Sequence, residues 1–265
     1  MLKSRLCIAF FAFAVGCAPA QKPLTDYVNP MLGTATLWDS VDLGFKPTKR
    51  TWGAEVFPGS SLPNAMVQVS PVTKFHSGAG YQYEDSVIYG FTHTNKGHWN
   101  LCHIPLLPVT GTPTPGDYCS PFSHERESAA PGYYQVFLDR YGVDAQLSST
   151  LRCAFHKYTY PAGAAASLLA DLQRSNEHVR AWDIRKEGDN VFAGWQQTGE
   201  KMYFYAVANR PVTGIEPVVE GDREVRIVRF GEGDGALELR IGFSFVSEKN
   251  ARENLEAEML GKSFA

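Results

Sequence analysis

The densest concentration of chemically capable side chains runs Gly90-Phe91-Thr92-His93-Thr94-Asn95-Lys96-Gly97-His98-Trp99-Asn100-Leu101-Cys102-His103. Four of the seven histidines lie between residues 76 and 103. A metal site needs several of them on one face, but His93, His98 and His103 are five residues apart. Five residues on a helix leave a net rotation of roughly 140°, and an odd spacing on a strand alternates faces. Only a loop gathers them. A loop suits a second chemistry better. Trp99 offers a flat stacking plate, while His93, His98 and Asn100 offer hydrogen-bonding groups, the combination that a polyhydroxylated ring requires. Trp52 adds a further aromatic surface. An ordinary polar surface loop is the bland alternative for the same residues.

Cleaving a glycosidic bond takes two carboxyl groups, about 5–5.5 Å apart for retention and about 6.5–9.5 Å for inversion. Glu84-Asp85 is the obvious pair, yet adjacent strand residues point to opposite faces. Glu55, Asp171 and Asp183 are further carboxylates with no favouring spacing, and a structural role is the better expectation for each. His93 with Glu84 is a nominal acid/base pair for epimerising a sugar. The sequence contains no GxSxG elbow, P-loop or GxGxxG opening a helix, and His156 and Asp171 lack a marked serine that would complete a triad.

The rest of the chain must position these groups. Its 265 residues carry a net charge of -3, with 20% charged and 44% apolar residues. That balance excludes a disordered chain and a multi-span membrane protein, and it lacks the basic excess of a nucleic-acid binder. At the N-terminus Lys3 and Arg5 precede an apolar or small run, Leu6–Gly16, then Cys17-Ala18-Pro19-Ala20. These are the parts of an export signal, too short to span a bilayer. Ala18-Pro19-Ala20 fits a cleavage site that leaves Gln21 first, so residues 1–20 are expected to be a leader. Ala14-Val15-Gly16-Cys17 alternatively resembles a lipobox that would place a lipid on Cys17. Either way the destination is the periplasm, an outer-membrane surface or the medium. Cys102, Cys119 and Cys153 then remain, which allows one disulfide with a free thiol or three unpaired thiols.

Gly 24, Pro 16 and aromatics at 12% lean toward an all-β protein. Expected strands are Ala65–Val69, Tyr81–Tyr83 and Ile104–Val109, the last demoted to an edge or turn by Pro105 and Pro108. After Gly132 the signal strengthens: Tyr133–Leu138, Ala145–Leu151, Ala154–Tyr160, Ser167–Leu172, Val179–Arg185, Val191–Gln197, Lys201–Ala208, Glu224–Phe230 and Ala236–Val246. The period of two in Leu237, Leu239, Ile241, Phe243 and Phe245 marks a half-buried strand. Ser247 then serves as an N-cap, and Ala251, Leu255 and Met259 share one helical face that ends near Gly261. Turn signals at this spacing predict an antiparallel β-sandwich.

Several motifs, all in order over residues 26–265, resemble the N-terminal domain of family 92 glycoside hydrolases, the exo-acting, calcium-dependent α-mannosidases common in Bacteroidota. They are Tyr27-Val28-Asn29-Pro30-Met31-Leu32-Gly33-Thr34, Phe57-Pro58-Gly59-Ser60-Ser61-Leu62-Pro63, Met66-Val67-Gln68-Val69-Ser70-Pro71, Gly80-Tyr81-Gln82-Tyr83-Glu84-Asp85, Gly90-Phe91-Thr92-His93-Thr94, Pro108-Val109-Thr110-Gly111, and Gly242-Phe243-Ser244-Phe245-Val246-Ser247 with Asn254-Leu255 and Glu258. The resemblance implies a sandwich like that of galactose mutarotase at residues 21–246, and a linker helix opening at 247–265. It further implies an (α/α)6 barrel that holds the catalytic acid, base and calcium ligands. Twelve helices of about 11 residues do not fit in the 18 residues after Ser247. No catalytic residue and no metal ligand is therefore assigned to this chain. Its expected role is to wall the pocket of an inverting α-mannosidase and present Trp99, His98, Asn100, His93 and Trp52 to a mannose-containing glycan. The alternatives are a stand-alone carbohydrate-binding module or surface lectin, and a mutarotase-like epimerase. The helix's apolar face, expected to stand exposed, favours the first.

Overall fold

The computed structural model describes residues 22–36, 56–96, 99–233 and 235–264. In chain order the early strands are β1 (Ser60–Ser61), β2 (Gln68–Val72), β3 (Val87–Ile88), β4 (Gly90–Thr92), β5 (Asn95–Lys96), β6 (Trp99–Asn100), β7 (Leu106–Val109), β8 (Ser120–Pro121) and β9 (Glu127–Ala130). There follow β10 (Tyr133–Leu138), β11 (Val143–Ser149), β12 (Cys153–Thr159), β13 (Ser167–Ala170), β14 (Ala181–Lys186) and β15 (Val191–Gln197). The series closes with β16 (Lys201–Ala208), β17 (Val212–Glu220), β18 (Arg223–Phe230), β19 (Leu237–Ser244) and the helix α1 (Glu248–Glu258).

Two antiparallel sheets carry the fold. One has the order β1-β2-β4-β7-β13-β18-β17, the other β14-β15-β16-β19-β12-β11-β10-β9. Their inner faces share one apolar cluster that includes Val69, Phe91 and Leu168 from the first sheet and Tyr134, Phe204 and Ile241 from the second. This is the all-β sandwich expected from the alternation, with buried and partly buried positions alternating along β10, β11 and β16.

Some elements depart from expectation for identifiable reasons. The strand expected at Ala65–Val69 is Gln68–Val72 and runs through Pro71. Tyr81–Tyr83 is not a strand, because Tyr81 is pulled into the core as a single anchor. β7 lies inside its sheet rather than at an edge. Pro108 is tolerated there because β4 meets β7 only at Leu106, so Pro108 faces a partner strand on one side alone. β17 escaped detection because it is an edge strand, mostly exposed and interrupted by Pro217, with no alternation to read.

The helix forms where its cap predicts. Ser247 Oγ accepts from the Asn250 N–H at 3.1 Å. Its apolar face is not left exposed, which corrects the expectation. Leu255 and Met259 pack on Cys153 and Phe155, the outward-facing residues of β12. That covering layer explains why β12 is buried on both faces. Gly242 on β19 makes the close approach possible: a Cβ there would lie 2.1 Å from the Ala251 carbonyl oxygen. Cys102, Cys119 and Cys153 are all unpaired.

Candidate functional site

At one end of the sandwich three segments converge: the loop after β2, the β5–β6 hairpin with its return to Ile104, and the polar run Asp171–Arg180 after β13. All three are stapled by Asn176. Its Nδ2 donates to the Asn100 carbonyl at 2.6 Å and to the Ser77 carbonyl at 3.2 Å, and its Oδ1 accepts from the His76 N–H at 2.6 Å. Ser175 Oγ donates to the Leu101 carbonyl at 2.6 Å. Gln196, buried on β15 of the other sheet, accepts from the Ile104 N–H at 2.8 Å and donates to the carbonyls of Leu172 and Arg174, each at 2.9 Å. One side chain thus ties both segments to the opposing sheet.

The backbone here is strained. His76, Cys102 and Ile104 take positive φ values of 61°, 53° and 54°. A β-branched residue in that region costs on the order of 1–3 kcal/mol and persists only when its surroundings hold it. Gln196 holds Ile104. Asn100 holds Cys102, accepting its N–H on Oδ1 at 2.8 Å.

The structure distributes the expected sugar-facing residues unevenly. Trp99 stands on the β5–β6 hairpin with 53% of its surface exposed. Its neighbour Asn100 points inward and is fully buried, donating to the Ala79 carbonyl at 3.2 Å. His93 is also buried, its Nε2 3.0 Å from His156 Nε2. Burial holds the His93 imidazole neutral, with its pKa pushed down to about 3, and lowers that of His156 well below the ordinary value, helped by His93 itself. Trp52, His98, Glu55 and the lipidation candidate Cys17 lie outside the described residues. The carboxylates are accounted for locally. Glu84 accepts from the Thr36 N–H and hydroxyl, and Asp85 from Thr73 Oγ1. Asp183 faces Arg185.

Two histidines meet carboxylates: His124 Nδ1 lies 2.5 Å from Glu127 Oε2, and beside this loop His103 Nε2 lies 3.4 Å from Glu177 Oε2. Thr198 Oγ1 gives its proton to Glu177 Oε2 at 2.5 Å, so it must accept from His103 Nε2–H at 3.0 Å. His103 Nδ1 then accepts from the Thr94 hydroxyl at 2.9 Å. This neutral tautomer agrees with burial lowering the imidazole pKa despite the opposing pull of Glu177. These groups line a cleft of about 460 Å³ beside Met66 and Phe245. Its neighbour, about 770 Å³, is lined by the Asp171–Arg180 segment and the start of β18, and Glu177 borders both. Spacing within residues 90–103 could not reveal Glu177, Asn176 or Gln196. The one signal was the unbroken polar run that follows Leu172.

Among the described residues no three His, Cys, Asp or Glu side chains converge as a metal site would require. The calcium implied by the resemblance therefore has no matching ligand set among them. No described helix is long and apolar enough to cross a membrane.

Residues 27–252 match the family model described as the glycosyl hydrolase family 92 N-terminal domain. Solved structures agree. The family GH92 α-mannosidase BT3965 from Bacteroides thetaiotaomicron is 26% identical with a TM-score of 0.78, covering 92% of this chain. The GH92 glycosyl hydrolase ccman5 is 24% identical with a TM-score of 0.73, covering 91%. The inverting GH92 mannosidase BT2199 from Bacteroides thetaiotaomicron VPI-5482 is 22% identical with a TM-score of 0.74, covering 92%. This chain spans only 36% of BT3965 and 35% of the other two. No curated protein sequence matches. With the two-sheet sandwich, the ordered motifs and a family match over most of its length in agreement, the chain belongs to glycosyl hydrolase family 92 through that family's N-terminal domain.

Proposed function

We propose that this chain is the pocket-walling N-terminal part of an exported α-mannosidase that hydrolyses α-mannosidic bonds in glycans with inversion. Residues 1–20 serve as the leader, with Cys17 as an alternative lipid anchor, residues 21–246 as the domain and 247–265 as the start of a linker. In this reading the catalytic carboxylates and the calcium ligands belong to a C-terminal barrel, as the family resemblance implies. The observation that carries this reading is Trp99. An exposed indole sits on a hairpin whose next residue, Asn100, is locked by buried hydrogen bonds, so the backbone that carries the plate is fixed. The two clefts bordered by Glu177 open at the same end.

The test is binding of methyl α-mannoside to the purified chain, followed by tryptophan fluorescence and calorimetry. Trp99→Ala is expected to weaken it about tenfold, roughly 1.4 kcal/mol. An affinity that Trp99→Ala leaves untouched removes Trp99 from the site. The chain alone is expected to release no mannose, with or without calcium. Calcium-dependent release by the chain alone would place the catalytic machinery here and sink the proposal.

One observation favours a second reading, a self-sufficient carbohydrate-binding module. The apolar face of α1 is covered by the domain's own sheet, so the core closes without a partner domain. Mannoside affinity that does not change when a barrel is supplied in trans supports that reading. An affinity that rises supports the first.

A further inference from the structure

We propose that His124 and Glu127 form a proton-dependent latch, which fastens the loop 81–85 and the segment 34–36 bound to it in acid and loosens both as the pH rises. The latch stands apart from the glycan reading above.

Glu127, the first residue of β9, has a side chain only 2% exposed. Buried carboxylate oxygens need partners. Oε1 accepts from Tyr134 Oη at 2.6 Å and from Tyr81 Oη at 2.9 Å. Burial first, and then Glu127 itself, raise the pKa of both phenols, so both remain donors. Oε2 lies 3.0 Å from Tyr81 Oη and 2.5 Å from His124 Nδ1. The other nitrogen of that ring, Nε2, lies 2.7 Å from the Tyr83 carbonyl oxygen. A carbonyl only accepts, so Nε2 carries a proton. The contact at Nδ1 needs a proton as well. The carboxylate already accepts two hydroxyls, so that second proton makes His124 an imidazolium. A neutral ring has one N–H for these two acceptors. In either tautomer a nitrogen lone pair then faces the carboxylate or the carbonyl, and one of the two contacts is lost.

The surroundings offer His124 no substitute. Tyr83 stacks on the ring at 3.9 Å with 3° between planes, and Phe122 meets it edge-on. The charged neighbours are engaged elsewhere: Glu84 with Thr36, Asp85 with Thr73 and Arg126 with Asp139, while Glu125 is exposed. What the latch holds follows from the loop's own bonds. The Tyr83 N–H donates to the Thr34 carbonyl at 3.1 Å, and the Thr36 N–H donates to Glu84 at 2.7 Å. Glu84 and Asp85 also wall a third cleft, of about 470 Å³, opposite no other carboxylate and beside His76 and Arg174.

The experiment uses the purified chain between about pH 5.5 and 8.5, a range that histidine titration spans. Nitrogen NMR of the His124 ring, assigned through its contact with Tyr83, is expected to show protons on both nitrogens at the acid end. Amide exchange at Tyr83 and Thr36, corrected for the intrinsic rate, is expected to be about tenfold more protected at the acid end than at the alkaline end. His124→Gln, which cannot fill both acceptors, is expected to abolish that difference. A bare nitrogen on His124 at the acid end would overturn the proposal even if the variant does not fold. So would protection that is equal at both ends, or a difference that survives His124→Gln. Neither readout involves a sugar, so failure of the glycan reading shows separately, as mannoside affinity indifferent to Trp99→Ala.

Discussion

Two imidazoles face each other across 3.0 Å inside the core, and His156 continues to Tyr158 Oη at 2.6 Å through its other nitrogen. One ring must donate and the other accept, and burial keeps both neutral when folded. Their folded pKa values lie below the unfolded value near 6.5, so the unfolded chain binds more protons below that pH. Stability therefore falls as the pH drops through 6.5 and keeps falling toward about 3, where His93 itself titrates. The slope is at most about 1.4 kcal/mol per pH unit for each histidine. Urea unfolding at pH 7.5 and 5.5 should give a clearly lower midpoint at 5.5; equal midpoints would contradict neutral burial. A second prediction concerns Asn176. Removing its three side-chain hydrogen bonds by Asn176→Ala should cost about 2–3 kcal/mol and shift Trp99 emission, read by urea melts and fluorescence. Residue types at 90–103 made that loop visible from sequence. Asn176, Gln196 and Glu177 were invisible because their roles exist only once β13 and β15 bring distant segments together. The same step turned Asn100 and His93 inward, which composition alone does not encode.

At the scale of elements, α1 and β19 act as a unit. Gly242→Ala inserts a methyl into the Ala251 carbonyl, so the helix must lift off the sheet. The expected cost is about 2–4 kcal/mol, with Cys153 becoming reactive to a thiol reagent in the folded state. An unreactive, fully stable variant would show that the helix adjusts. Glu258 fixes the far end of the helix. Burial raises its pKa, but hydrogen bonds from Thr150, the Arg152 N–H and the Arg152 guanidinium outweigh this and hold it below the ordinary range. Glu258→Gln should cost about 1–2 kcal/mol, measured by thermal melting, with amide exchange rising in α1 before the strands. The helix was legible because its cap and its four-residue period are local signals. Strands from Tyr133 onward were legible for the same reason. β7 and β17 were not, since whether a proline is tolerated depends on which neighbour stands beside it.

At the scale of the molecule, strand order decides where the chemistry lies. β13 sits between β7 and β18, which delivers the Asp171–Arg180 run to the same end as the Trp99 hairpin. The two clefts bordered by Glu177 and the strained backbone thus share one rim. The sandwich class could be read from alternation, but this order could not. The order has a further consequence for how the chain comes into being. The last strand of this sandwich in chain order, β19, occupies the middle of its sheet between β16 and β12. A nascent chain that has emerged as far as residue 236 still lacks the strand that pairs the two halves of that sheet. The domain therefore cannot acquire cooperative structure piecemeal from its N-terminus. It must wait, unfolded, until residues 237–244 arrive, and then collapse through contacts distant in sequence, on a timescale of milliseconds to seconds. Chains released after residue 236 should show no cooperative transition, whereas chains released after residue 260 should fold.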